Sequence, residues 1–332
     1  RLGLLTSSGN YAVTIFLVVA GYLATNGLLR DRTLASTRAL GGVFLRRWIR
    51  LSSHVYAMVA VLLVVEAIDP GVRQFQGADT TRSVLHVVTY TWTGFLRHDL
   101  YRSRPDLGHL WYVCTDLWGV GVVVLLVILF GRRRRSLFQV LVGCLVLVWL
   151  YRSFIVRTEG SATALLMWQT RVDGVLWGAL AAVAVSGLRS RSRPKCATPL
   201  VGVLLGCLVP LAVLVNSANS YLGVFGELLA AVVGLILVGV GLGAVPRMAR
   251  VALGWHPLRF LGRTSLVLYV WHYPVLWYVW RRLDGQAWPT KLALAVLLTL
   301  AAAVPAQLLI EAPVQRWLRR QGAAGSWPHA PG

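Results

Sequence analysis

The sequence predicts an all-α fold, a polytopic membrane bundle of about nine transmembrane helices in the 332 residues given. Three observations predict it. Apolar runs of about 20 residues recur along the chain, the length that crosses the hydrocarbon core of a bilayer. Only 14% of the residues are charged, where a soluble domain carries about a quarter. The runs are continuous rather than alternating, which suits helices and not the strands of a barrel.

In order, the runs fall at roughly 11–29, 48–68, 111–130, 136–157, 165–187, 199–216, 223–245, 263–281 and 290–311. The stretch 83-SVLHVVTYTWTGFL-96 is too short and polar to cross, and is expected to lie on the surface or re-enter. Residues 1–320 form one membrane domain. The tail 321-QGAAGSWPHAPG-332 is small and rich in Pro and Gly, so disorder is expected there. The chain starts at Arg1 with no cleavable signal before the first run, and the expectation is that one further helix precedes it.

The net charge of +21 would point to nucleic acid in a soluble protein, but its distribution excludes that partner. Taken alternately, one set of inter-helix segments carries 21 of the 33 Lys and Arg, including 132-RRRR-135 and 189-RSRSRPK-195. The other set carries 11, spread over longer segments, with seven acids; Arg171 is left over inside a run. This is the positive-inside asymmetry, and it predicts a multi-pass protein of the bacterial plasma membrane with a cytosolic C-terminus. The basic segments then need no partner beyond the anionic inner leaflet of the lipid bilayer. The four cysteines lack metal-ligand spacing, and no metal or bound cofactor is expected.

Ionisable groups inside a membrane are costly and usually face a cavity or a partner. Here they are Asp116, Arg171, Asp173, Glu227 and His272, with Glu311 at an inner helix end. Asp116 follows His109 and Trp111, and lies too deep to be a helix cap. Arg171 and Asp173 are two positions apart, hence on opposite sides of a helix and not each other's main partner. Arg171, Gly174 and Gly178 share a face, where a neighbouring helix can approach closely. Ser265, Tyr269 and His272 form one polar stripe on a helix that Pro274 can kink, because Pro supplies no N–H to the carbonyl of Val270. At the inner edge, Arg47 and Arg50 share a face and suit a phosphate-bearing ligand, or serve as positive-inside anchors. The segment 69–110 holds Tyr90, Trp92 and Tyr101, which fits either a sugar platform or a lid.

In that order the motifs resemble the acyltransferase-3 family of bacterial integral-membrane O-acyltransferases. The stretches that carry the resemblance are 16-FLVVAGYL-23, 44-FLRRWIR-50, 109-HLWYVCTD-116, 171-RVDGVLWG-178, 262-GRTSLVLYVWHYP-274 and 311-EAP-313. The departures are Ala20 for a Ser, Asp116 for a Glu, Gly119 and Val120 for aromatic residues, Ser52 and Ser53 for a Pro region, and Leu266 for a Tyr.

The resemblance implies an enzyme that moves an acyl group, expected to be acetyl, from acyl-CoA (acetyl-CoA) to a hydroxyl of a glycan, lipid or small-molecule acceptor. It implies catalytic-site roles for His272, Asp116, Arg171 and Asp173, and acyl-CoA binding by Arg47 and Arg50. His109, Trp111, Ser265, Tyr269 and Glu311 would support the cavity. The family's general base is a His on a helix upstream; no His precedes His54 here. A catalytically inactive binding protein, or a transporter or flippase of a glycan or lipid, are the alternative readings.

Overall fold

In the computed structural model the described residues are 2–30, 37–69, 78–188, 196–215 and 217–323. Among them no strand occurs, and the chain is a helical membrane protein. The helices, in order, are α1 (Leu2–Arg30), α2 (Thr37–Ile68), α3 (Thr80–Val88), α4 (Trp92–His98), α5 (Trp111–Phe130), α6 (Arg134–Thr158), α7 (Ser161–Leu166) and α8 (Asp173–Leu188). They continue as α9 (Ala197–Leu214), α10 (Ala218–Ser220), α11 (Gly226–Gly241), α12 (Arg247–Gly254), α13 (His256–Arg282), α14 (Trp288–Ala306) and α15 (Ala312–Ala323). Gln321–Ala323 finish α15; the rest of the tail expected to be disordered, and the basic run 189–195, lie outside the described residues.

Among the described residues seven segments are long and apolar enough to cross a membrane: Gly9–Leu29, Gly41–Ile68, Pro105–Phe130, Arg134–Thr158, Ala197–Leu214, Ala218–Gly241 and Trp288–Gln321. The other two expected spans are helical but differ. Helix α8 has only 16 residues, because the chain ahead of it folds into α7 and a 3-10 turn at Trp168–Thr170. The Thr170 hydroxyl holds that turn by donating to the carbonyls of Ala164 and Met167 at 2.5 and 2.8 Å. Helix α13 is long at 27 residues, but its aromatic residues, His272 and terminal arginines keep its hydropathy below that of the others.

The chain divides into two compact units. The first comprises the chain to Phe44 together with Thr115–Leu253; the second comprises Leu45–Cys114 and the chain from Gly254. In the first unit α8 is the central helix, packed by α1, α6 and α11. It is apolar all round apart from its first residue, and its buried residues run from Asp173 to Val185, as expected of a helix enclosed by others. Its contact with α1 is backbone to backbone. A Cβ on Gly178 would sit 1.9 Å from the Val18 carbonyl oxygen, one on Gly174 2.8 Å from Leu17 Cβ, and one on Gly21 2.0 Å from the Val175 carbonyl oxygen. The face read from Gly174 and Gly178 is therefore the one that meets α1. Gly119 likewise admits α5 to α8, since a Cβ there would meet Val175 and Val172 at 2.9 and 3.1 Å. A larger residue at this position would collide.

In the second unit α13 packs on α14 and on the 3-10 turn Pro105–Leu110. The stretch 83–96 does not span: it forms parts of α3 and α4, joined at Tyr90 with a positive φ of 58°. Trp92 and Tyr90 are buried, and Tyr90 hydrogen-bonds Ser52 at 2.8 Å, so these rings pack the fold instead of offering a sugar platform; only Tyr101 is exposed.

Candidate functional site

In the first unit the polar groups centre on Arg152 and Arg171; in the second they centre on His109, Glu311 and Arg104. In the first, Arg152 reaches inward from α6. Its side chain lies on the buried stripe of Leu137, Leu141, Leu145 and Ile155, whose spacing repeats with the helix. One Nη donates to Asp173 Oδ2 at 2.8 Å and to the Thr170 carbonyl at 3.3 Å; the other donates to Glu227 Oε1 at 2.5 Å. Trp177 Nε1 donates to the second Glu227 oxygen at 2.8 Å. One guanidinium thus holds two carboxylates and ties α6, α8 and α11 together.

Arg171 takes a different partner from Asp173, as their spacing requires. It lies in the turn before α8, fully buried, and donates to Asn10 Oδ1 at 3.1 Å. Its guanidinium carbon is 4.4 Å from the centre of the Tyr221 ring, and the Tyr221 hydroxyl is 2.7 Å from Thr14 Oγ1. A π-helical turn at Tyr221–Phe225 presents that ring, closed by the Gly226 N–H on the Tyr221 carbonyl. Gly226 is needed there, because a Cβ would lie 2.5 Å from the same oxygen. Asp116, on α5, is buried in this unit.

In the second unit Pro274 decides the geometry. It gives no N–H to the Val270 carbonyl, and that carbonyl instead accepts from His109 Nε2 at 3.1 Å. Tyr269 donates its hydroxyl to the His109 carbonyl at 2.7 Å. The His109 ring stacks on Tyr273 at 4.9 Å and meets His272 edge-on at 5.8 Å. His272 Nδ1 faces the carbonyls of Tyr269 and Leu268, at 2.7 and 3.2 Å. Carbonyls only accept, so Nδ1 carries the hydrogen, and in the neutral ring Nε2 is the basic nitrogen. Ser265 stays out of this group: its hydroxyl bonds the Gly262 carbonyl of its own helix at 2.9 Å. Trp111 is half-buried at the start of α5.

Glu311 is fully buried at the end of a second π-helical turn, Gln307–Glu311. It accepts from Arg50 Nε at 2.6 Å, Gln315 Nε2 at 2.6 Å and His54 Nε2 at 2.8 Å. Arg50 therefore commits one edge of its guanidinium to Glu311, while its side chain remains 38% exposed. Arg47, one turn earlier, is half-buried. Outside the predicted residues, Arg104 ties Asp106, at 2.8 and 3.1 Å, to Glu66. The hydrogen bonds to these carboxylates and their charges outweigh the effect of burial and hold Arg104 above its ordinary pKa.

The structure thus brings together His109, Tyr269 and His272, and joins Arg50 to Glu311. It adds Arg152, Tyr221 and His54. The signal for Arg152 was present, since an Arg on the i, i+4 stripe of an apolar helix faces inward. Nothing local marks His54, whose partner is 257 residues away. Among the described residues no group of three His, Cys, Asp or Glu side chains is placed to hold a metal.

The Acyltransferase domain family model (Acyl_transf_3) matches residues 2–309. The chain is 24% identical over 286 residues to the peptidoglycan O-acetyltransferase OatA of Listeria monocytogenes, covering 81% of this chain and 45% of that protein. It is 25% identical over 289 residues to the putative peptidoglycan O-acetyltransferase YrhL of Bacillus subtilis, covering 81% and 44%. The chain thus spans less than half the length of these curated relatives. No solved structure matches it. With its motifs in order along membrane helices and the match running over nearly its whole length, the chain belongs to the acyltransferase-3 family.

Proposed function

We propose that the protein transfers an acyl group, acetyl in the first instance, from an acyl-CoA to a hydroxyl of a glycan acceptor at the bacterial plasma membrane, with residues 1–320 as the membrane domain and the C-terminus in the cytosol. The observation that carries the reading is the family match over residues 2–309, and the names of the two relatives favour acetyl and a cell-wall glycan.

The residues fit roles in that reaction. The acceptor oxygen attacks the thioester carbonyl carbon, its proton passes to a base, the C–S bond breaks, and the thiolate leaves to be protonated. The resemblance assigns that base to a His on another helix. His272 then has a defined part. With Nδ1–H spent on backbone carbonyls, Nε2 accepts a hydrogen bond from the acceptor hydroxyl and does not donate one to the acyl carbonyl. Glu311 fixes the Nε edge of Arg50, whose remaining guanidinium nitrogens suit the phosphates of the donor, with Arg47 one turn earlier on the same face. Asp173 and Arg171, each held by its own partners, and the buried Asp116 shape the polar interior of the first unit.

The test uses the purified full-length protein in proteoliposomes with acetyl-CoA and soluble peptidoglycan fragments. Release of free thiol together with alkali-labile acetate on the glycan is expected. Glycan movement across the bilayer with the thioester intact would establish the transport reading instead.

A further inference from the structure

His54 lies outside the sequence motifs that carry the family resemblance, and the proposed chemistry gives it no part. On α2 it shares a face with Arg47 and Arg50, at i, i+3 and i+7 spacing. Its ring is fully buried and makes a single hydrogen bond. Nε2 meets Glu311 Oε2 at 2.8 Å, and Nδ1 is buried without a partner among the described residues. A carboxylate only accepts, so the hydrogen is on Nε2. A buried imidazole with an unsatisfied nitrogen costs stability that an apolar side chain would not. The bond to Glu311 is therefore what a polar ring at this position provides.

Glu311 divides its bonds unevenly. Oε1 accepts from Arg50 Nε and from Gln315 Nε2, each at 2.6 Å, while Oε2 accepts from His54. All four residues belong to the second unit. Arg50 is thereby bound through Nε, with its side chain 38% exposed. A carboxylate facing a guanidinium frequently makes two parallel bonds to it. Here His54 occupies the oxygen that would make the second bond. Rotation of a carboxylate about its last torsion is soft. Without the His54 donor, Oε2 would be buried and unsatisfied, and would turn to a terminal nitrogen of Arg50.

We propose that His54 is a positioning residue for donor binding: by holding Glu311 Oε2 it keeps the ion pair to a single bond and turns the terminal guanidinium nitrogens of Arg50 to the phosphates of acyl-CoA. This rests on the acyl-transfer reading, and adds to it a residue and the part of the donor that the residue governs.

The experiment compares two donors with the full-length protein in proteoliposomes: acetyl-CoA, and S-acetyl-N-acetylcysteamine, which keeps the thioester and lacks every phosphate. His54→Phe keeps the bulk of the ring and removes the hydrogen-bond donor. It is expected to raise KM for acetyl-CoA about tenfold, the lower range for one hydrogen bond to a charged group, with kcat within about twofold of wild type. KM for the phosphate-free donor should stay at its wild-type value. His54→Gln, whose amide N–H can take the place of Nε2–H, should bring KM for acetyl-CoA back to within about threefold of wild type. Equal rises for both donors, a lowered kcat at unchanged KM, or no rescue by Gln would make His54 a purely structural residue and overturn the proposal. If His54→Phe loses its folded peak in detergent chromatography, His54→Met replaces it with the same expectations, and loss of the peak in both also overturns the proposal. Wild-type protein that turns over neither donor would sink the acyl-transfer reading itself. Wild-type turnover of acetyl-CoA, with KM unaltered in His54→Phe, would overturn this inference alone.

Discussion

Two buried polar clusters, the Arg152 group of the first unit and the His109 group of the second, solve the same problem in opposite ways. In the first, Arg152 and Trp177 donate to the carboxylates of Asp173 and Glu227 at 2.5–2.8 Å. In the second, His109, Tyr269 and His272 are neutral, bond mainly to backbone carbonyls, and leave His272 Nε2 as a basic nitrogen. Inside a membrane an ion must be matched or it destabilises the fold. A closed charge knot is therefore a device for holding helices. A neutral imidazole, fixed at one nitrogen, can carry chemistry at the other. On the proposed function, the first cluster holds the helices and the second meets the substrate.

The largest expected effect tests the first assignment. Arg152→Met leaves two buried carboxylates with one cation removed, which costs about 3–5 kcal/mol. The protein should lose its monodisperse peak in detergent chromatography or unfold at a clearly lower temperature. A variant with unchanged Tm but lost turnover would move Arg152 from architecture to chemistry and break the comparison. The converse applies to His272. His272→Ala at equal expression should retain the folded peak while turnover falls about tenfold, the scale of one lost substrate hydrogen bond. Turnover within twofold of wild type would remove His272 from the reaction.

A smaller effect sharpens the account of the first unit. Gly178→Ala puts a Cβ where the Val18 carbonyl oxygen now is. Helices α1 and α8 must separate, at a cost of about 1–3 kcal/mol typical of overpacking. Thermal unfolding in detergent measures it. The same substitution at Gly187, which has nothing within 4 Å, should leave Tm unchanged.

Helix periodicity made part of this legible in the sequence. The close face of α8 follows from Gly174 and Gly178, and the separation of Arg171 from Asp173 follows from the angle between their positions. Arg152 was legible too, since it lies inside the apolar run 136–157 on the stripe of Leu137, Leu141 and Leu145, but it was not among the candidate residues. The two π turns were hidden. Each adds a residue to a helical turn, which aims Tyr221 and Glu311 off the face that regular spacing assigns them. His54 could not be read at all, since only the fold brings it to Glu311. The span expected at 165–187 starts later, at Asp173, because Thr170 locks a tight turn, a side-chain to backbone bond that apolar periodicity does not register.

Pro274 gives the finest test, because the sequence showed a freed carbonyl at Val270 but not what takes it. The structure gives the bond to His109. Pro274→Ala restores an N–H, so the helix can reclaim Val270 and compete with the imidazole. One bond is then exchanged for another, and stability should change by no more than about 1 kcal/mol. The orientation of His109 is what changes, and with it the ring that His272 meets edge-on. The expected outcome is a Tm close to wild type with turnover reduced severalfold. In a double-mutant cycle, Pro274→Ala should have little further effect once His109→Phe has removed the competing donor. Additive losses would show that Pro274 acts by bending α13, independently of His109, and the neutral cluster would then owe its geometry to the kink alone.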